Sequence, residues 1–217
     1  MSEMIIHSGE TFEHVYLNAP DVDLHIVQEA GSSVKIHLIN VPSDKVQSTK
    51  EVLNRLFVEQ RGKGCKTAIY GLAFLHGEES VQTETHVMHA ACDGISEQLI
   101  KFVLDEHARG RFVGDLKIAP DAQKVEAHQT NRNLLLSDEA EMRTQPQLEI
   151  YADDVQATHG ASTGQLDESA LFYMQQRGID KQKARQLLVN AFMKDVLNTI
   201  SDESVREELT ASIDGDY

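Results

Sequence analysis

The chain has 217 residues, 41% of them hydrophobic, no Trp and a formal net charge of -15. That length supports one large core or two modest domains without a disulfide or metal staple. Cys65 and Cys92 are too few and too far apart for a disulfide framework or a paired-cysteine zinc site. The acidic balance argues against nucleic acid and anionic membrane surfaces as partners, because both call for clustered Lys and Arg. No apolar run nears the roughly 18 residues of a membrane span, and the opening MSEMIIHSGE lacks a basic n-region and a long apolar h-region. The expectation is a cytoplasmic protein with free thiols.

Through about Ala157 the apolar residues come in short alternating runs: Leu24 and Ile26 in DLHIVQ, Val34, Ile36 and Leu38 in SVKIHLIN, Phe112, Gly114, Leu116 and Ile118 in RFVGDLKIA, and Leu148 and Ile150 in PQLEIYA. A period of two predicts half-buried strands. The stretches between them, EAGSS, NVPSD, QRGKGCK, HGEES and APDAQ, have the composition of turns. Many short strands with brief turns predict a sandwich, a barrel or a stacked solenoid. Two segments, DKVQSTKEVLNRLFVEQ and SEQLIKFVLDEHA, space their apolar residues three and four apart and compete as helices, the first more strongly. No strict short repeat is present, including the six-residue pattern of left-handed β-helix acyltransferases, so any solenoid has irregular coils.

From Leu166 the period becomes 3.6. Asp167 is placed to cap a helix from Glu168 to Arg177, with Leu166 set to meet Leu171 as a staple and Gly178 at the C-terminus. Asp180 is placed to cap a second helix whose Ala184, Leu187, Leu188, Ala191, Phe192 and Val196 share one face. Ser201 caps a third, with Asp202 and Glu203 in its first turn and Val205, Leu209 and Ile213 as its buried stripe. The domain division is a strand-rich body over 1–165 and a helical part over 166–217. These helices pack either on a partner protein or over an end of the sheet that would otherwise expose unpaired backbone; stripe width favours the second.

Ten histidines make chance proximity to acids common. His86 and His89 form an H-x-x-H, but on a strand an odd separation sends them to opposite faces, which argues against a chelate. Asp153 and Asp154 point opposite ways for the same reason, and one of them is a turn or cap residue. The chain has no G-x-S-x-G elbow, phosphate loop or dinucleotide fingerprint. His159, ahead of Gly160 at a strand-to-helix boundary, is by itself read as a structural residue.

The segment NLLLSDEAEMRTQPQLEIYADDVQATHGASTGQLDESALFYMQQRGI, with the upstream GRFVGDLKIAPDAQKVEAHQTNRN and CDGISEQLIKFVLDEHA, resembles the SufB/SufD scaffold proteins of iron-sulfur cluster assembly. The strong resemblance covers roughly residues 85 to 200; residues 1 to 84 match in general character. It implies a right-handed parallel β-helix, mainly β, followed by a small C-terminal helical domain. It implies a non-catalytic scaffold subunit that pairs with a SufB-like subunit, while a SufC-like ABC-type ATPase docks on the C-terminal helices. The candidate partner-binding positions are Leu171, Phe172, Leu187 and Phe192, and the helices become a partner surface.

In the SufB branch an essential cysteine lies on the segment matching SDEAEMRTQP, where Ala140 stands here. In the SufD branch a functional histidine stands in C-S-H-G-A, which reads A-T-H-G-A here, with Ala157 before and His159 retained. The chain is therefore SufD-like. Two isolated cysteines cannot supply the four ligands of a cluster, but imidazole is an acceptable iron ligand. His159 is thus the candidate ligand for iron or a transient iron-sulfur cluster shared with a partner at a subunit interface, and no tightly bound cofactor is expected in this chain alone. SufD-type proteins are typically longer, with a helical domain ahead of the β-helix, so the chain reads as a fragment or a shortened form. The competing readings are a β-helix acyltransferase with His159 as general base, and a structural homodimer paired through the β-helix ends.

Overall fold

The computed structural model describes residues 2–42 and 51–213. Among these, twelve strands come first: β1 (Ser2–Ile6), β2 (Thr11–Leu17), β3 (Asp21–Gln28), β4 (Ser33–Asn40), β5 (Val52–Gln60), β6 (Lys66–Leu75), β7 (Ser80–His89), β8 (Ile95–Leu104), β9 (Arg109–Ile118), β10 (Val125–Leu135), β11 (Glu141–Ile150) and β12 (Val155–Gly164). Helices α1 (Glu168–Gln176), α2 (Lys181–Leu197) and α3 (Glu203–Ile213) follow. The odd strands form one six-stranded sheet in chain order and the even strands form the other. The strand pairs are parallel.

A chain that alternates between two parallel sheets winds a solenoid, here of about five turns. This is the parallel β-helix that the resemblance implied, and it removes the sandwich and barrel alternatives. Thr11 pairs with Ser33, Ser33 with Lys66 and Lys66 with Ile95. Successive turns therefore differ in length, which is why no repeat shows in the sequence. The turns stay in register because each inward row is apolar: Leu24, Ile26, Leu56, Val58, Phe112 and Leu116 meet Val34, Ile36, Ile69, Ile100 and Phe102 in one core.

Both competing helices are strands. DKVQSTKEVLNRLFVEQ contains β5, with its first residues, 44–50, outside the described residues, and SEQLIKFVLDEHA contains most of β8. Residues 100–104 of β8 are buried on both faces, because helices cover the even sheet from outside. Strands buried on both sides lose the alternation that distinguishes them from a helix.

The helices lie over the outer face of the even sheet rather than over its end. Tyr70, Leu72 and Phe74 of β6, with Ile39, Val103 and Leu134, share a second core with Val189, Met193, Val196, Leu197, Leu209 and Ile213. Asp167 caps α1 by accepting from Ser169 N at 2.8 Å, Asp180 caps α2 by accepting from Lys183 N at 3.0 Å, and Gly178 adopts φ +83° between them. Two details differ from the sequence reading. Asp202, not Ser201, caps α3 through Ser204 N and Val205 N, because the Ser201 hydroxyl accepts from Lys35 Nζ at 2.8 Å. The buried side of α2 is Ala184, Val189, Met193, Val196 and Leu197, whereas Leu187 and Ala191 are exposed.

Lys101 explains that rotation. This lysine stands on the outer face of β8, 1% exposed. Its Nζ donates to Phe192 O and to Asp195 Oδ2, each at 2.6 Å, and lies 4.6 Å from the centroid of the Phe192 ring. A buried ammonium needs these partners, so the Phe192 and Asp195 region of α2 is drawn onto β8.

The corner of the β-helix holds a polar ladder. Gln28, Gln60 and His89 are in register on successive turns; Gln60 donates to Thr67 Oγ1, Thr67 to Gln28 Oε1, and His89 Nε2 bonds Ser96 Oγ at 2.8 Å. His89 is fully buried and His86 half-buried on the other face, so the H-x-x-H is split as expected. Burial pushes the His89 imidazole down to about 4, and burial likewise holds His37, bonded to Thr199 Oγ1 at 2.9 Å, near 4.

Two outcomes follow from this packing. Asp195→Asn strands the Lys101 charge and is expected to cost about 3 kcal/mol in urea unfolding, while Lys101→Met costs less, because the freed Asp195 reaches water; equal costs would contradict the clamp. The depressed His89 keeps the native imidazole neutral where the unfolded one protonates. Its contribution is present above about pH 6.5 and is lost as pH falls towards 4, on the order of 3 kcal/mol in all. His89→Gln should flatten the stability profile in that window.

Candidate functional site

The last turn of the solenoid is made of β11 and β12, the terminal strands of the two sheets. A terminal parallel strand is bonded along one edge only, so its other edge presents unpaired N–H and C=O groups. Most of β12 is exposed. It is tied to β10 by side chains as well as by the ladder: Asn133 Nδ2 donates to Ser162 O and Thr163 Oγ1, and His128 Nδ1 bonds Thr158 Oγ1 at 2.8 Å. Asp153 and Asp154 sit in the turn before β12. There Asp154 O accepts from Lys124 N and Asp154 N donates to Gln123 Oε1, so Asp154 serves through its backbone as a turn residue at the start of the strand.

His159 lies in the middle of β12, five residues before its end and not at a strand-to-helix boundary. In the even sheet Ile36, Ile69, Gln98, Gln129 and His159 form one register row. Paired residues of adjacent strands share a face, and Gln98 and Gln129 face the interior, each 1% exposed. His159 is therefore the interior-facing residue of a turn with nothing stacked on it, and it is exposed for that reason.

The other positions singled out in the sequence separate around it. Ala157, on the same face of β12, packs against the interior core, and Ala140 is buried there, 7% exposed, in the turn before β11. Cys65 is buried between β5 and β6, donating to Glu29 O and Gly62 O at 3.1 Å, and Cys92 lies between β7 and β8 with its thiol on Asp121 O. Neither belongs to the last turn. Among the described residues no group of three or more His, Cys, Asp and Glu is arranged to hold a metal, so His159 offers one donor. On the helices, Leu171 is buried and Phe192 half-buried under Lys101, while Phe172 is 63% and Leu187 40% exposed.

The residues that the sequence reading missed are Gln98 and Gln129. The signal was present: in VEAHQ, Val125 and Ala127 set the inward face, and counting by two reaches Gln129. Its amide lies across the core against Gly114, where an added Cβ would stand 2.5 Å from Gln129 Nε2.

Comparison with known proteins places the chain in a family. The sequence model for SUF system FeS cluster assembly, SufBD core domain, matches residues 18–192, so the likeness reaches further upstream than residue 85. The chain is 36% identical over 152 residues to the iron-sulfur cluster assembly protein SufD of Escherichia coli, covering 70% of this chain and 36% of that one. It is 30% identical over 223 residues to the chloroplastic protein ABCI7 of Arabidopsis thaliana, covering 98% and 45%, and 34% identical over 149 residues to SufD of Bacillus subtilis, covering 69% and 33%. The chain belongs to the SufBD core family and is SufD-like. It spans between a third and a half of the length of these relatives. Among the described residues no helix is long and apolar enough to cross a membrane.

Gly114→Ala is expected to destabilise the protein by about 1–3 kcal/mol through overpacking against Gln129 and Phe112. Adding Gln129→Ala should recover the part of that loss owed to Gln129, while the approach to Phe112 Cζ at 2.6 Å remains. Additive costs in the double-mutant cycle would mean that the two residues do not share the space.

Proposed function

We propose that the chain is a non-catalytic scaffold subunit of the SUF iron-sulfur cluster assembly machinery. It pairs with a SufB-like subunit through the open β11–β12 end of its β-helix. His159 contributes one ligand there to iron or to a nascent cluster, the cargo, and the partner supplies the thiolates. The observation that carries this reading is the position of His159, an interior-facing imidazole on an uncovered terminal strand in a chain of the SufBD core family. A partner strand or turn stacked there would satisfy the open edge and enclose the imidazole at once.

The SufC-like ATPase docks on the C-terminal helices in this proposal. Phe172, Tyr173 and Leu187, 63%, 59% and 40% exposed, give α1 and α2 an apolar outer surface. Leu171 and Phe192 serve the same surface from beneath, by fixing the helices. ATP-driven dimerisation of the ATPase would then shift the two scaffold subunits and rearrange the interface that holds the cargo. The cytoplasm is the proposed location. The acyltransferase alternative lacks support, because the turns are unequal in length; a homodimer through the same open end is the competing outcome.

Reconstitution with SufB-like and SufC-like partners tests the reading. His159→Ala is expected to slow cluster assembly at least about 10-fold while leaving the complex intact on a sizing column, and assembly at the wild-type rate would overturn the ligand role. Phe172→Glu with Leu187→Glu should abolish ATPase binding and leave far-UV circular dichroism unchanged.

A further inference from the structure

Interior amides in the last turns are of two kinds. Asn131 and Asn133 bond each other, and they also donate to Ile100 O, Ser162 O and Thr163 Oγ1. Gln98 and Gln129 are as deeply buried, yet neither amide atom of either has a protein partner. Thr85 Oγ1 and Thr144 Oγ1, on the opposite sheet, are also without one. Thr85 is the register neighbour of Gly114, and Thr144 is that of Phe112.

Orphaned buried amides are costly and uncommon, and an apolar side chain would fill the same volume without that cost. Polar interior surface left unpaired by protein is satisfied by bound water. Gly114 leaves room for the Gln129 amide, and Gln129 is the direct register partner of His159. Adjacent strands lie about 4.8 Å apart, so amide and imidazole are stacked neighbours on the interior face.

We propose that Gln129 is the positioning residue of His159: one imidazole N–H donates to a water bound between the last two turns, and that water donates to the Gln129 amide oxygen. That bond fixes which ring nitrogen is left to face the open end. The inference rests on the reading of His159 as a ligand at a subunit interface. A ligating imidazole needs its other N–H anchored, and the anchor sets the tautomer.

The test is ring-nitrogen NMR on the full chain labelled with 15N-histidine, at a pH where the imidazole is neutral, with His159 assigned from the His159→Ala spectrum. One tautomer should dominate in the wild type. Gln129→Met, which keeps the length and loses the acceptor, should average the two tautomers and slow reconstituted cluster assembly about 10-fold without lowering the melting temperature. Gln129→Glu, which keeps an acceptor oxygen at the same reach, should restore the dominant tautomer.

An averaged wild-type ring, or an unchanged tautomer in Gln129→Met, would overturn the inference. So would a high-resolution crystal structure of the wild type with no water on the Gln129 amide, a measurement independent of whether the variants fold. If Gln129→Met averages the tautomer but His159→Ala assembles normally, the positioning stands and the ligand reading fails. If His159→Ala abolishes assembly and the tautomer ignores Gln129, the reverse holds.

Discussion

A parallel β-helix satisfies the backbone of each turn with the next turn, so its last turn always keeps one unpaired row of donors and acceptors. The other features of this chain are arranged around that constraint. Sideways growth is closed off: α2 and α3 cover the even sheet with their own apolar core, and Lys101 holds α2 in place. The β12 end is left open, without a helix packed across it in the described contacts. The uncovered end is where His159 stands.

The same stacking rule sets the chemistry behind the histidine. A residue's neighbours in a solenoid are its register partners on the turns before it, not its neighbours in sequence. His159 is therefore backed by Gln129 and Gln98, 30 and 61 residues earlier by the register pairs. The core changes along this row from Ile36 and Ile69 to amides and then to imidazole. Along this row apolar stacking gives way to polar groups towards the β12 end, the end proposed to meet another subunit. Polar interior positions are less stable than apolar ones, and their placement next to an open end ties that loss to a site.

Much of the architecture was legible in the residues. Period-two runs gave most strands, and the caps Asp167 and Asp180 and the stop at Gly178 marked the helices. The split of His86 from His89 followed from strand geometry alone. What failed to show did so for a physical cause. β8 mimicked a helix because helices bury its outer face, and β5 did so because Asn54 and Gln60 are polar on its buried face while Leu53 and Phe57 are apolar on the other. Ser201 gave up its capping role to Lys35, a residue from β4 that no local pattern names. The row behind His159 was hidden because unequal turns conceal the register, and without the register Gln129 is one more polar residue in a strand.

The open β11–β12 end is the proposed subunit interface. Hydrogen–deuterium exchange of the chain, alone and with a SufB-like partner, tests it most directly. The account predicts new protection concentrated in residues 141–164, strongest along β12. Protection confined to β1 and β2 at the opposite end, or none in β12 within a formed complex, would contradict it.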